Sequence, residues 1–573
     1  MAILQPLIDM AEICYQQGIR HVVISPGSRS AALTLAFARH GGFQTHVSID
    51  ERAAGFIALG MAQQIDAPVV LICTSGSAAY NFAPAVSEAF FQQIPLLVLT
   101  ADRPREWQHQ YDGQTIYQTA IFGSHVKRSF EISPDYQHPD VQWAINRITN
   151  EAVNLASLAP NGPVHINVPI REPFYPTSGE DLKTSEYIRI IQRQTNEVTW
   201  PQGAWEELLD EWENASRILI AGGQGKPDGA LSAVLTRIAD EWHIPVLGDC
   251  ISNLTGGGEF VRHHDLFLGK KGAGTLGPDL LITFGMSFLS KEFKLFIRKN
   301  PPKRHWHIGE DAFLADPFQS VTREIPGKAA AFFDQLFEKL DYQLFVENAD
   351  LTHDTSFHAS WIENERNTRR KKHEMLQNLS SFNDLTLLDL IFRCVNLPYQ
   401  LHIANSMSVR YANILATETQ WSGVFANRGT SGIDGCVSTA IGAAKVNGKP
   451  TLLIVGDVAF LYDRNGLLID NLPQNLKIVV LNNAGGNIFR MIDGPGSLPE
   501  LETFFETRHA FSARRTCEDL GIAYFGGSDL SEAEAVVKEF LNFNGIALLE
   551  GFTNPVENTN VWKALKQACK TGS

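Results

Sequence analysis

The sequence predicts an α/β protein of three doubly wound parallel-sheet domains, and three observations lead to this prediction. The chain has 573 residues, more than one hydrophobic core usually holds. Short apolar, β-branched runs alternate with helical stretches, which is typical of parallel sheets covered on both faces. Two connecting segments interrupt this pattern, so we predict domains at residues 1–180, 200–340 and 380–573.

Apolar runs define the strands of the first predicted domain, and an amphipathic helix precedes them. Strands are predicted at residues 21–24, 45–49, 69–73 and 96–100, with helices at 53–63 and 78–91. The polar stretch 173–202 has proline near both ends and weak periodicity, so we interpret it as a linker.

The second and third predicted domains repeat the same alternation. In the second, strands are predicted at residues 217–221, 246–248 and 279–284. A charged helical stretch at residues 361–377 leads to the third, with strands predicted at 400–404, 451–455, 476–481 and 547–549.

Composition excludes several classes of protein. Forty-eight basic and 63 acidic residues give a net charge of −15, which argues against nucleic-acid binding. The seven cysteines are far apart and form no C-x-x-C pair, so we expect no disulfide framework or zinc site and predict a cytoplasmic protein. The N-terminus lacks a basic signal-peptide region, and the absence of a run of about 18 apolar residues predicts no membrane span.

Two polar residues follow strands of the third predicted domain. Asp457 and Asn483 are 26 positions apart, enough for a helical crossover around residues 464–469 to the neighbouring strand. Carboxylate and amide oxygens at the carboxyl ends of parallel strands suit Mg²⁺, and the glycines after Asn483 allow a diphosphate to approach closely. Each motif alone could be an ordinary strand-ending turn, but the pairing favours a metal site.

This pattern resembles the cofactor motif of thiamine diphosphate-dependent enzymes, although Val458 stands where glycine is commonest. The resemblance implies domains that bind the pyrimidine (1–180) and the diphosphate (380–573). It also implies that Mg²⁺ or Mn²⁺ is ligated by Asp457, Asn483 and the Gly485 carbonyl. The other residues it implies near the cofactor are Glu51, Ser406, Met407, Ile433, Gly456, Gly486, Ile488 and Phe489.

Glu51 follows a predicted strand and opens a predicted helix. Enzymes of this class place a glutamate here against the aminopyrimidine ring, where a carboxyl group of raised pKa does general acid–base work. The alternative is a carboxylate favoured by the positive end of the helix dipole. Because this glutamate and the metal site come from different subunits in such enzymes, the resemblance implies a homodimer or homotetramer.

Further motifs narrow the resemblance. They lie at residues 25–30 (SPGSRS), 74–78 (TSGSA), 100–104 (TADRP), 405–410 (NSMSVR) and 427–435 (NRGTSGIDG). Together they resemble the 2-succinyl-5-enolpyruvyl-6-hydroxy-3-cyclohexene-1-carboxylate synthases. This implies decarboxylation of 2-oxoglutarate and addition of the resulting carbanion to isochorismate, in menaquinone biosynthesis. It also implies a substrate site lined by Arg29, Arg103, Gln114, Lys291, Lys294, Arg410 and Arg428.

The chemistry of the substrates agrees with this set of cations. Both substrates are dianions, and arginine can hold a carboxylate with two hydrogen bonds while lysine provides a point charge. Any one of these residues could be a solvated surface charge. Their positions near strand ends favour a binding role.

Two alternatives remain open. Another thiamine enzyme, such as an acetolactate synthase or a simple 2-oxo acid decarboxylase, would need fewer cations. A non-catalytic nucleotide- or flavin-binding protein could use the turn at residues 222–225, but the pattern G-x-G-x-x-G is absent there.

Overall fold

The computed structural model describes residues 5–172, 175–176, 182–194, 198–255, 259–270, 273–310, 313–346, 354–416, 420–492 and 494–570. Within these ranges the chain forms three sheets, and every pairing between their strands is parallel. Helices connect most consecutive strands of each sheet. The predicted fold class is therefore confirmed.

The N-terminal domain contains a six-stranded sheet. Its strands are β1 (His21–Ile24), β2 (Gln44–Val47), β3 (Val69–Cys73), β4 (Leu96–Asp102), β5 (Ser129–Glu131) and β6 (Val164–Pro169). Its helices are α1 (Gln5–Gln16), α2 (Ala31–Ala38), α3 (Glu51–Ile65), α4 (Ser77–Asn81), α5 (Ala83–Phe91) and α6 (Pro139–Ser157). Strands β1, β3, β4 and β6 are buried throughout, as expected for a parallel sheet that is covered on both faces.

The central domain contains a five-stranded sheet. Its strands are β7 (Ile218–Gly222), β8 (Val246–Gly248), β9 (Leu280–Phe284), β10 (Arg304–Gly309) and β11 (Arg323–Pro326). Its helices are α7 (Gln202–Glu213), α8 (Gly229–Trp242), α9 (His264–Phe267), α10 (Lys291–Lys299) and α11 (Ala329–Val346). The charged helix predicted after this domain is α12 (Thr355–Asn378), which begins at the N-cap Asp354.

The C-terminal domain contains a second six-stranded sheet. Its strands are β12 (Gln400–Ile403), β13 (Gly423–Ala426), β14 (Thr451–Gly456), β15 (Leu476–Asn482), β16 (Ala523–Gly527) and β17 (Ala547–Phe552). Its helices are α13 (Asp384–Cys394), α14 (Met407–Leu415), α15 (Cys436–Asn447), α16 (Asp457–Asp463), α17 (Ile488–Met491), α18 (Arg514–Leu520), α19 (Leu530–Asn542) and α20 (Pro555–Lys570).

The two six-stranded sheets share one strand order. The first runs β2-β1-β3-β4-β6-β5 and the other β13-β12-β14-β15-β17-β16. In each, the strand order changes direction between the domain's first and third strands, which are neighbours. Open α/β sheets bind ligands at this switch point, outside the carboxyl ends of the strands.

Two helical segments have different boundaries in the structure from those predicted. Residues 78–91 form two helices, because Pro84 in the first turn of α5 lacks the N–H needed to continue a helix from α4. The crossover from β14 to β15 begins earlier than residue 464: α16 starts at Asp457, and a 3-10 helix follows at Arg464–Leu468. A carboxylate is favoured in the first turn by the helix dipole.

Six strands were not predicted, namely β5, β6, β10, β11, β13 and β16. In β6 and β10, buried polar residues, histidines among them, stand where a continuous apolar run was expected. His165 Nε2 lies 2.7 Å from Thr100 Oγ1, and His305 Nε2 lies 2.9 Å from Thr283 Oγ1. These hydrogen bonds offset the free-energy cost of burying the polar imidazole rings.

The described part of the predicted linker has no helix or strand before α7. It is tied to the N-terminal domain, since Ser185 N donates to Asp9 at 2.9 Å and Asn154 donates to the Ile191 carbonyl at 2.6 Å. All seven cysteines are free. No helix in the described ranges is long and apolar enough to cross a membrane.

Helices α3 and α15 join the N- and C-terminal domains at very close range. A Cβ atom on Gly60 would lie 2.0 Å from the Thr439 carbonyl oxygen, and one on Gly442 would lie 2.0 Å from the Ile57 carbonyl oxygen. Only glycine permits this approach of the two backbones.

Candidate active site

The residues predicted to form the site lie beyond the carboxyl ends of strands. Arg29, Glu51 and Arg103 follow β1, β2 and β4 of the first sheet. Ser406, Asp457 and Asn483 follow β12, β14 and β15 of the third, and Lys291 follows β9 of the central sheet. The fold therefore places them at the sheet edges that bind ligands in this class of architecture.

Asp457 and Asn483 lie side by side, because β14 and β15 are neighbours in the sheet. Asp457 Oδ2 accepts a hydrogen bond from Gly485 N at 3.0 Å. Both side chains are buried, with 2% and 7% of their residue surfaces exposed. Asn483 Oδ1 is buried and has no hydrogen-bond partner among the described residues. Such an atom is costly unless a ligand completes it.

A third buried residue, Asp384, orients the Asn483 amide. Asn483 Nδ2 donates to Asp384 Oδ2 at 3.1 Å, and Thr553 Oγ1 donates to Asp384 Oδ1 at 2.6 Å. Burial raises the pKa of Asp384 to about 6, and the nearby charge of Asp457 adds to the rise. Asp384 was not predicted, since its sequence context is only that of a helix start after the N-cap Asn383.

The segment around residues 505–509 covers the glycines of this motif. Gly486 N donates to the Glu506 carbonyl at 2.7 Å, and a Cβ on Gly485 would lie 2.6 Å from the same oxygen. His509 Nε2 is 3.4 Å from Asp457 Oδ2, and the close approach of that carboxylate raises the pKa of His509. Sequence patterns gave no signal for this covering segment.

Glu51 is the first residue of α3, which Asp50 caps by accepting a hydrogen bond from Ala53 N at 3.1 Å. Asn81 Nδ2 lies 3.4 Å from Glu51 Oε2. Glu51 lines a cavity of about 470 Å³ that contains none of the predicted metal ligands. The cavity is lined by Ile49, Asp50, Glu51, Arg52, Asn81, Asn465 and Leu468.

Arg29, Arg103 and Gln114 gather at the edge of the first sheet. Arg29 is buried and donates to the Ile170 carbonyl at 3.1 Å; burial, followed by the charge of Arg103, lowers its pKa. Arg103 pairs with Asp112 at 2.5 Å. The exposed Gln114 has a left-handed backbone (φ 55°) that lies against Gly76.

Lys294, Arg428 and Arg410 form a second group between the central and C-terminal domains. Burial is the main cause of the lowered pKa of Lys294, and the charge of Arg428 contributes to it. Burial is also the main cause of the lowered pKa of Arg428, to which the charge of Arg410 contributes. Arg428 Nη1 donates to Asn405 Oδ1 at 2.8 Å, and Arg410 Nη1 donates to the Ser406 carbonyl at 2.5 Å. Lys291 is exposed at the start of the same helix as Lys294.

The remaining predicted residues surround these groups. Ser406 is the N-cap of α14 with φ 71°, and Met407 is buried in its first turn. Ile433 is half-buried against the core shared by the N- and C-terminal domains. Gly456 is the N-cap of α16. Ile488 and Phe489 are half-buried, and the Phe489 ring centroid lies 5.7 Å from that of Phe505.

Comparisons with known proteins agree with this geometry. Residues 9–121 match the family model described as thiamine pyrophosphate enzyme, N-terminal TPP binding domain. A 2-succinyl-5-enolpyruvyl-6-hydroxy-3-cyclohexene-1-carboxylate synthase of Cytophaga hutchinsonii is 41% identical, over 98% of this chain and 99% of its own length. The chain belongs to this synthase family. Synthases of the same name from Porphyromonas gingivalis (36% identical; 97% of this chain, 95% of theirs) and Flavobacterium johnsoniae (35%; 97% of both) also match.

For a synthase of the thiamine diphosphate class, the residues near Asp457 fit a hard divalent cation. The unpartnered Asn483 Oδ1 is a neutral oxygen ligand beside one carboxylate. Among the described residues, no group of three or more His, Cys, Asp or Glu side chains could hold a metal. A site with one carboxylate, one amide oxygen and one backbone carbonyl agrees with that finding.

In this synthase, the turn that could have cradled a nucleotide phosphate is a domain contact. Within the central domain, a Cβ on Gly223 would lie 2.3 Å from the Met286 carbonyl oxygen, and Gln224 is buried against the neighbouring domains. Gln224 Nε2 donates to the Ala426 carbonyl at 3.1 Å. The turn is occupied by protein, which argues against the nucleotide-binding alternative.

Sequence reasoning also missed three buried hydroxyl groups near Arg29. Ser25, Thr74 and Ser75 follow β1 and β3, and their side-chain oxygens have no hydrogen-bond partner among the described residues. These oxygens can bind polar groups of a ligand at the switch point of the first sheet. Their short strand-end motifs are visible in the sequence, but no signal there indicates that the hydroxyls lack partners.

Proposed function

We propose that this chain decarboxylates 2-oxoglutarate and joins the remaining four-carbon unit to isochorismate, in the cytoplasm and as a step of menaquinone biosynthesis. The observation that carries this proposal is the Asp457–Asn483 pair, with its unpartnered amide oxygen, in a member of this synthase family. The product is the one for which the related synthases are named.

In this proposal the C-terminal domain holds the cofactor through a cation. Asp457, Asn483 Oδ1 and the Gly485 carbonyl would ligate Mg²⁺ or Mn²⁺. Gly456, Ser406, Met407 and Gly486 lie where strand ends and helix starts offer backbone groups to a diphosphate. Thiamine diphosphate supplies the electron sink that decarboxylation needs.

Glu51 is proposed to hold and move a proton at its carboxylate. Its place at the start of α3 and at the cavity described above leaves the carboxyl group accessible to a ring nitrogen. Ile433 would support the bent cofactor, while Ile488 and Phe489 would form an apolar wall that keeps water out.

The two cation groups are proposed to bind the two dianionic substrates. Arg29 and Arg103 lie close enough that one charge lowers the other's pKa, so an anion between them would relieve their repulsion. The same argument applies to Arg410, Arg428 and Lys294. Gln114 and Lys291 would add a polar contact and a point charge at the rims.

A second copy of the chain is proposed to complete the site, in a homodimer or a homotetramer. Exposed apolar side chains surround Glu51, with Ile49, Tyr80 and Tyr462 64%, 57% and 51% exposed. Arg52 Nη2 donates to the Tyr462 carbonyl, which places Tyr462 on the same face. Covering this face with a partner subunit would bury the apolar groups and bring Glu51 to the partner's cofactor.

One assay tests the proposal directly. The purified chain with thiamine diphosphate and Mg²⁺ should consume 2-oxoglutarate and isochorismate together, and omission of either substrate or of the cofactor should stop product formation. Asp457→Ala should lose cofactor binding in calorimetry, whereas Asp519→Ala, at an exposed position of the same domain, should keep it. Turnover of 2-oxoglutarate without isochorismate at the full rate would favour a simple decarboxylase.

A further inference from the structure

A buried carboxylate of the N-terminal domain is bonded to a loop of the C-terminal domain. Glu88 lies on α5 and is 1% exposed. Its Oε2 accepts hydrogen bonds from Thr430 N at 2.6 Å and Thr430 Oγ1 at 2.5 Å. Its Oε1 accepts from Gly429 N at 2.7 Å and from Gln92 Nε2 at 2.5 Å. All four donors converge on one side chain.

A carboxylate group suits this arrangement of four donors. A carboxylate offers two acceptor oxygens and no donor, so it can receive all four hydrogens. A glutamine of the same shape would turn an NH₂ group toward one of the backbone N–H groups and leave that donor buried without a partner. Hydrogen bonds to a charged acceptor are also stronger than neutral ones, which fixes the loop more firmly.

The loop that Glu88 holds carries two residues of the candidate site. Arg428 directly precedes Gly429, and Ile433 follows Thr430 by three positions. The contact is close, because a Cβ on Gly429 would lie 2.8 Å from the Glu88 carbonyl oxygen. Nη1 of Arg428 donates to Asn405, but its buried Nε has no partner among the described residues. Its direction therefore depends strongly on the backbone that follows it.

The same carboxylate belongs to a buried junction of all three domains. Gln92 Oε1 accepts a hydrogen bond from Gln224 Nε2 of the central domain at 2.9 Å. Gln224 Nε2 also donates to the carbonyl of Ala426, at the end of β13 and two positions before Arg428. The loop is thus held from the N-terminal domain and from the central domain at once.

We propose that Glu88 is a positioning residue for Arg428, acting across the domain boundary by fixing the backbone of Gly429 and Thr430. This inference rests on the proposed function, because it assumes that Arg428 binds an anionic substrate. Glu88 itself touches neither substrate nor cofactor in this assignment. Its effect reaches the reaction through the direction of the Arg428 guanidinium.

The test compares Glu88→Gln, Arg428→Ala and the double variant. Glu88→Gln should raise the KM of one anionic substrate about tenfold or more and change kcat little, because it disturbs binding rather than the reacting groups. Since Glu88 acts through Arg428, the double variant should be no worse than Arg428→Ala alone. Fully additive losses, or an unchanged KM for both substrates, would overturn the proposal.

Amide hydrogen exchange on the unliganded protein provides a readout that does not depend on activity. Glu88→Gln should speed exchange at Gly429 and Thr430 at least tenfold. Asp316→Asn serves as control, since this central-domain carboxylate also accepts two backbone N–H groups, from Ser320 and Val321. That variant should leave both the exchange at 429–430 and the two KM values unchanged. Unchanged exchange in Glu88→Gln would overturn the proposal.

Failure of the proposed function would look different from failure of this inference. A wild-type protein without synthase turnover would refute the function, while faster exchange in Glu88→Gln would still show that Glu88 holds the loop. If Glu88→Gln does not fold, Thr430→Val removes only the hydroxyl donor. It should then raise the same KM about threefold, and an unchanged KM would count against the proposal.

Discussion

Asp384 and Asn483 form a buried pair in which the aspartate Oδ2 accepts the asparagine Nδ2–H at 3.1 Å. This bond decides which end of the amide faces the candidate cation site. With the nitrogen turned toward Asp384, the oxygen is left buried and unpartnered among the described residues. Mutation of residues that orient a metal ligand commonly lowers metal affinity about 10–100-fold.

Removal of the orienting carboxylate should weaken cation binding. We expect Asp384→Ala to lower the affinity for Mn²⁺, measured with thiamine diphosphate by electron paramagnetic resonance, by about 10–100-fold, since Asn483 can then rotate. Asp389→Ala lies on the same helix and removes only a surface pair with Arg393, so its Mn²⁺ affinity should match that of the wild type. Equal affinity in both variants would contradict the orienting role.

Glu51→Gln should separate proton transfer from cofactor binding. Glutamine is nearly isosteric with glutamate but cannot exchange a proton at this position, so turnover should fall about 10²–10⁴-fold. Calorimetry should still detect thiamine diphosphate binding, and the melting temperature should stay close to that of the wild type. Near-normal turnover would mean that Glu51 only favours the start of α3.

The arginine pair at the first sheet should affect substrate use more than stability. We expect Arg29→Ala and Arg103→Ala to lower kcat/KM about tenfold to a hundredfold, as a lost charged hydrogen bond costs roughly 1.5–3 kcal/mol. Arg410→Ala should behave in the same way. Arg237→Ala, which removes a surface pair with Glu241, is the control and should keep full activity.

Pyruvate should be a poor donor for the same enzyme. It lacks the distal carboxylate of 2-oxoglutarate, so one cation of the site would have no partner. The measurement is competition between the two donors at a fixed isochorismate concentration. Equal use of both donors would favour an acetolactate-type enzyme.

Because of its raised pKa, Asp463 should make the free energy of unfolding depend on pH, and Asp463→Asn should remove this dependence. Burial raises the pKa of this carboxyl group to about 7 from an ordinary value of 3.8. Between these values the folded state keeps a proton that the unfolded state has released. The free energy of unfolding should therefore fall as pH rises from about 4 to about 7, by about 1.4 kcal/mol for each pH unit at most.

The asparagine side chain is neutral at every pH. Its oxygen can accept from Ser438 N, while its NH₂ group donates to Ser438 Oγ, which is a donor in the wild type. In urea unfolding, the free energy of unfolding of Asp463→Asn, compared with that of the wild type, should be higher at pH 7 than at pH 5. Asp529→Asn, at an exposed helix cap whose pKa is lowered, should show no such change over this interval. A constant difference between Asp463→Asn and the wild type would rule out the buried protonated carboxyl group.

The sequence predicted those parts of the site that follow an apolar run directly. Asp457 and Asn483 were predicted to be neighbours because each comes immediately after a strand of one parallel sheet, and the structure places them side by side. The three-domain fold was predicted for the same local reason. Metal ligation by these residues, and the substrate roles of the cations, stay predictions.

Asp384 and Glu88 could not be found in this way. Asp384 is in the first turn of α13, and its contact with Asn483 spans 99 positions of the chain. Glu88 is in a helix, where a lone glutamate is usually solvated, and its two partners in the C-terminal domain are more than 340 positions away. Contacts of this kind follow from how the domains dock, which one sequence does not encode in any local pattern.

The glycine contacts between α3 and α15 restrict how this protein can change shape and which substitutions it can accept there. Two backbones in direct contact have no layer of side chains that could repack, so neither helix can slide past the other without collision. Glu51 begins one of these helices, and the loop of Arg428 and Ile433 leads into the other. Sliding of α3 along α15 is therefore excluded as a way to reshape the site, whereas loops such as residues 505–509 lie outside this joint. Efforts to alter the substrate range would do best to redesign those loops and leave this joint intact.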